Sequence, residues 1–215
     1  MRRALLILGA LILAAVWLGP LPRLAQTAFF AHMSMHMAVV AVAAPLLALG
    51  IAGGRLDPVR RAPGLFAAVP ASVLELLVVW AWHAPVPHHL ARQSAVGMAA
   101  EQGMFLAAGL LLWLSAFGGD SPRSGNRTAA GVVGLLLTSM HMTLLGALLA
   151  LAPRPVYAHG FPHPEGGLFG LTPLEDQQLG GAIMLLVGGI SYLVGGLSLM
   201  VGLLKGGALA PGGRA

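Results

Sequence analysis

Eight histidines and ten methionines, with no cysteine, carry whatever coordination chemistry this chain has. The densest placement is FFAHMSMHM, where His32 and His36 stand four residues apart at the start of an apolar run over 29–51. Residues at that spacing share one face of an α-helix, about 6 Å apart along its axis, so two imidazoles are presented to one point. Imidazole is the commonest metal-ligating side chain, and an ionisable group in hydrocarbon needs a partner. His83, closing WAWH, and His141, in SMHM, are the candidates on neighbouring apolar segments. Zero cysteine excludes thiolate sites, disulfides and thiol redox chemistry. Clustered nitrogen and thioether donors suit copper, because thioethers favour Cu(I) and imidazole accepts both copper states. Zinc held by histidines and a carboxylate, and haem with His–His or His–Met axial ligation, stay open as alternatives.

Two carboxylates fall at the same depth. Taking helical rise, His36 and Glu75 lie about 10 Å, and Glu101 and His141 about 15 Å, from the same ends of their segments. Such acids are expected to face the bundle interior and pair with one another or with histidine. A carboxylate accepting the distal N–H of a ligating imidazole is the usual arrangement, and a proton path is the other use for them. Met33 and Met37 share a face about 100° from that of the histidines, and Met140 precedes His141. All three are accessory candidates, since methionine in apolar helices mostly fills space. His88, His89, His159 and His163 sit in segments that read as loops and serve at most transient metal recruitment.

The elements that must position these groups follow from composition. The chain is 57% hydrophobic and 9% charged, with mean hydropathy +0.83, against about a quarter charged in soluble domains. That predicts an all-α polytopic bundle, one integral membrane domain over 1–215 in a lipid bilayer, with about six spans near 4–19, 29–51, 65–82, 91–117, 128–151 and 173–204. The first run is short and follows two arginines, but no small-x-small cleavage site succeeds it, so a retained helix is expected. Pro45 predicts a kink. PVPHHL reads as a loop. Thr172-Pro173-Leu174-Glu175 reads as a capped helix start with Pro at the first position, and Gly181, Gly188, Gly195 and Gly202 lay a small-residue stripe along the last helix.

With the N-terminus inside, inner segments hold nine basic residues and outer ones only Arg23, Arg92 and Arg154. This fits the positive-inside rule and places every histidine towards the extracytoplasmic side. The net charge of +5 is scattered in short loops, and no nucleic-acid recognition module is present. Neither a catalytic triad, a phosphate loop nor a HExxH motif occurs, so no enzyme is expected.

HMSMH at the start of a span, WHAP ending the next, AEQGMFLAAGLLLW, HMTLLGALLALAPRPVY and above all LTPLEDQQLGGAIMLLVGGISYL resemble the multi-spanning CtaG-like cytochrome c oxidase assembly factors. The resemblance covers roughly 29–204. It implies a bacterial plasma-membrane protein that helps metallate a haem-copper oxidase, with oxidase subunits and a copper donor protein as partners. His32, His36, His83 and His141 match the family's histidine positions; Arg154, Pro155, Tyr157, Asp176 and Gln177 match its outer-loop and last-span motif. Glu101-Gln102 stands where the family commonly has Glu-His, and six spans stand where longer members have seven.

Overall fold

The computed structural model describes residues 1–119, 124–157 and 168–208, and all regular structure among them is helical. In chain order the helices are α1 (Arg2–Leu18), α2 (Phe29–Ile51), α3 (Ala68–His83), α4 (Pro85–Gln93), α5 (Ala95–Phe117), α6 (Gly125–Ala150) and α7 (Pro173–Lys205). Helices α2, α5, α6 and α7 are long and apolar enough to cross a bilayer, and α3 with α4 make a fifth crossing if that bent pair is one span. At 17 residues α1 has the length of a short span. Six is thus an approximate count. His159, His163, Arg123 and Arg214 lie outside the described residues.

Helices α2, α7, α6, α3 and α5 pack in a closed ring, and α1 lies outside it against α2. The α1–α2 contact uses glycines: a Cβ at Gly9 would come within 2.8 Å of Leu47, and one at Gly50 within 2.7 Å of Leu6. The stripe on α7 works similarly. A Cβ at Gly181 would meet the Gly146 carbonyl at 2.7 Å, and one at Gly195 the Trp113 ring at 2.7 Å. Gly188 faces Met37 and Met142 at van der Waals distance, and Gly202 has nothing close. Small residues let these helices approach closely where lipid supplies no hydrophobic drive.

The expected kink at Pro45 takes a specific form. Proline has no N–H for the carbonyl four residues back and crowds it, and α2 answers with a π-helical segment over Ala38–Ala43. The carbonyl left over, that of Ala41, accepts from Ser191 Oγ at 2.6 Å, and the Val40 carbonyl accepts from Tyr192 Oη at 3.3 Å. A second π-helical segment, Met184–Gly188 in α7, packs against the first.

The capping box at Thr172 forms as the sequence predicts, with Glu175 N–H donating to Thr172 Oγ1 at 3.3 Å and Thr172 N–H to Glu175 Oε2 at 2.8 Å. The loop expected at PVPHHL does not form. Pro85 disfavours helical backbone at Ala84, which is extended at φ −67°, ψ 142°, so α3 stops there. Proline at a first helical position needs no donor, and a new helix, α4, starts at once, bent 71° from α3. α5 consequently begins at Ala95, with Ser94 Oγ accepting from Gly97 N–H at 2.9 Å. At the opposite end of the bundle, Asp57 accepts from the amides of Gly53, Val59 and Gly119.

Candidate metal centre

Four helix ends converge on one buried group. The first turns of α2 supply His32 and His36, the last turn of α3 supplies His83, α4 supplies His88 and Arg92, and the start of α5 supplies Glu101 and Gln102. His32, His36 and Glu101 have no exposed surface and His88 has 1%. His32, His88 and Glu101 each place one possible ligand atom within 4.8 Å of the others. The ring centroids of His32 and His88 are 4.9 Å apart, those of His32 and His83 6.1 Å, and those of His36 and His83 5.2 Å.

The polar atoms of this group are unevenly satisfied. Glu101 Oε2 accepts from Arg92 Nη2 at 2.5 Å and from Gln102 Nε2 at 3.4 Å, while Oε1 faces His32 Nε2 at 3.8 Å without a hydrogen bond. Arg92 also donates from Nη1 to the Ala25 carbonyl at 3.2 Å, which ties α4 to the turn between α1 and α2. His83 Nδ1 lies 2.6 Å from the Val79 carbonyl. A carbonyl only accepts, so Nδ1 carries the proton and Nε2 keeps its lone pair, which has no partner. Both ring nitrogens of His32 and of His36 are likewise buried without a hydrogen bond. Leaving several buried nitrogens unpaired costs about 1–3 kcal/mol each, an expense that a bound cation would offset.

Asp176 explains how the histidine helix is held. The N-cap of α2 is Ala28, which has no side-chain acceptor, and Asp176 of α7 supplies one from outside: Phe29 N–H donates to Oδ2 at 2.7 Å and Phe30 N–H to Oδ1 at 2.9 Å. Gln177 accepts from Val156 N–H at 2.6 Å and donates to the Leu149 carbonyl at 3.3 Å, binding the end of α6 and the loop after it. Tyr157, in that loop, donates to the His83 carbonyl at 2.7 Å, stacks on Phe29 and lies 4.4 Å from the His88 ring. Burial pushes its phenol above the usual range, which keeps it a donor. A cavity of about 320 Å³ lined by Pro85, His88, His89 and Tyr157 adjoins the group.

The other predicted residues lie elsewhere. Glu75 is interior but pairs with hydroxyls rather than with histidine or acid: Oε1 accepts from Tyr192 Oη at 2.6 Å and Oε2 from Thr138 Oγ1 at 3.4 Å, with Ser72 2.8 Å from Thr138. Thr138 sits on α6, which packs against α3, and Tyr192 reaches Glu75 from α7, whereas His83 lies two turns further along α3. His141 is buried on α6, both its nitrogens lack a hydrogen bond, and among the described residues it makes no ring contact with another histidine. Met33 packs with Phe29 on Gly180, Met37 on Gly188, and Met140 is 68% exposed on the outside of α6. In the sequence His88 reads as a loop residue and Arg92 as a topology charge. Their i, i+4 spacing behind Pro85 at a helix start was the signal that could have joined them.

The family model described as cytochrome c oxidase caa3 assembly factor matches residues 1–206. The chain belongs to that family. No curated protein and no solved structure matches it. An assembly factor of cytochrome c oxidase has the oxidase as its partner, and the apolar helices described above make this one a membrane protein. In this chain the LEDQQ segment ties helices together: Asp176 caps α2, while Gln177 and Gln178 hold the end of α6 and the segment behind it.

Proposed function

We propose that this caa3 assembly factor is a non-enzymatic carrier that holds copper transiently at the extracytoplasmic end of its bundle and passes it to an oxidase subunit. The observation that carries this reading is the buried His32–His88–Glu101 group, with ligand atoms within 4.8 Å and both nitrogens of His32 free of hydrogen bonds. The donors fit the cargo, because imidazole accommodates copper in both oxidation states. His32, His88 and Glu101 would hold the ion, with His83 and His36 beside them for ligand exchange. Arg92 shares Glu101, so the carboxylate's charge is already balanced. A cation therefore meets a weaker field than an unpaired acid would give, and release to a tighter acceptor is favoured. The cavity beside His88 is the approach for copper from a donor protein. The excess of basic residues on the other side supports a bacterial plasma-membrane topology with the N-terminus cytoplasmic.

Metal content by mass spectrometry, with an optical spectrum of the same detergent-purified sample, tests this. Wild type is expected to carry or take up stoichiometric copper; His32→Ala/His88→Ala is expected to lose it, and His141→Ala to keep it. Wild type that binds neither Cu(I) nor Cu(II), or a haem Soret band, overturns the reading.

A further inference from the structure

The end of the bundle away from the histidines holds a second set of buried polar atoms without partners. There α3 and α6 begin, α5 ends, and a cavity of about 410 Å³ opens between them. Phe66 and Pro70 form apolar wall; Ser115, Ser124, Asn126 and Arg127 supply the polar lining, and among the described residues no acid lines it. Ser115 is 1% exposed and its hydroxyl has no hydrogen bond. Arg127 is half-buried, and its Nε and Nη2 are buried with no acceptor. Its guanidinium is held face-on to the backbone, since a Cβ at Gly119 would lie 3.3 Å from Cζ and 3.4 and 3.5 Å from the two terminal nitrogens. Among the described residues the nearby acid is Asp57, whose oxygens accept from three backbone amides.

The backbone adds to the positive character. α6 is 26 residues long, and its N-terminus borders the cavity. Ser124 Oγ accepts from Arg127 N–H at 3.4 Å, which leaves the hydroxyl proton available to donate. First-turn amides have no intrahelical acceptors, and the helix dipole favours negative charge there. A guanidinium fork, two hydroxyls and a helix start aimed into one space match the oxygens of a phosphate.

We propose that this pocket binds a phosphate group, carried by an acidic phospholipid headgroup or present as free phosphate, with Arg127 and Ser115 as donors and the start of α6 behind them. The apolar wall suits the glycerol and chain end of a lipid, and the described lining offers a zwitterionic headgroup's ammonium no carboxylate. The site is independent of the metal centre and of the copper reading.

Native mass spectrometry of the detergent-purified full chain tests it, with phosphatidylglycerol or phosphatidylcholine titrated in and inorganic phosphate added as competitor. Wild type is expected to retain phosphatidylglycerol in preference to phosphatidylcholine. Arg127→Gln is expected to reduce that retention about tenfold or more, the worth of a charged hydrogen bond to phosphate, Ser115→Ala by less, and Arg127→Lys to restore part of it. Arg23→Gln, at the other end, is the control for loss of surface charge. Saturable displacement of the lipid by millimolar phosphate assigns the site to free phosphate; preference without displacement assigns it to the lipid. Equal retention of both lipids by wild type with no phosphate binding overturns the proposal. So does a wild-type preference that survives in Ser115→Ala and in whichever Arg127 variant folds.

Discussion

Glu75 and Glu101 are both fully buried carboxylates, yet their surroundings differ in kind. Glu75 is met by neutral hydroxyls from Tyr192 and Thr138, each atom has a partner, and nothing about the arrangement asks for a ligand. Glu101 is met on one oxygen by Arg92 and on the other by an imidazole too far away to hydrogen-bond, beside the His32 and His36 nitrogens, which have no hydrogen bond. A satisfied buried polar network stiffens a bundle; an unsatisfied one marks where something binds. The difference separates scaffold from site more clearly than residue type or depth does.

Breaking the Glu101 side of that contrast is expected to give the largest effect. Arg92→Leu leaves a buried carboxylate uncompensated and should cost about 3–5 kcal/mol in denaturant unfolding in detergent, with much of this recovered in Arg92→Leu/Glu101→Leu. Asp176→Ala comes next: loss of a charged cap from two α2 amides should cost about 2 kcal/mol and lower metal occupancy too, because His32 stands in the turn that the cap fixes. Tyr192→Phe sharpens the contrast from the Glu75 side. It should cost about 1–2 kcal/mol by leaving Glu75 Oε1 without its donor, while metal content per folded chain stays at the wild-type level. Met37→Leu should cost under about 1.5 kcal/mol as a near-isosteric swap, with no loss of metal; a clear loss would bring α7 and its methionine contacts into the site.

Much of this was readable from residue order. The His32–His36 spacing, the membrane character, the Thr172 capping box and the family membership could all be read, because each rests on local periodicity or on a short specific motif. The resemblance pointed to Asp176 without saying that it caps a helix 146 residues earlier in the chain. What stayed hidden depended on tertiary direction. A segment with two prolines and two histidines, PVPHHL, has no apolar period, so only the fold shows it as a helix that turns back and carries His88 and Arg92 inward. Glu75 and His141 looked like members of one layer because depth along a helix can be counted, whereas rotation about its axis and the identity of the facing neighbour cannot.

The π-helical segment at Ala38–Ala43 has a consequence for how the two halves of α2 can vary. An extra residue in one turn offsets the angular phase of everything beyond it, about 100° per residue in an α-helix, so the segment works as a coupling between two shafts. The outer shaft, with His32 and His36, must keep its azimuth towards Glu101. The inner one, with Gly50, must keep its own towards α1. That fixed offset lets one continuous helix meet both requirements at once, and removing the extra residue would turn the histidines about 100° relative to the inner packing.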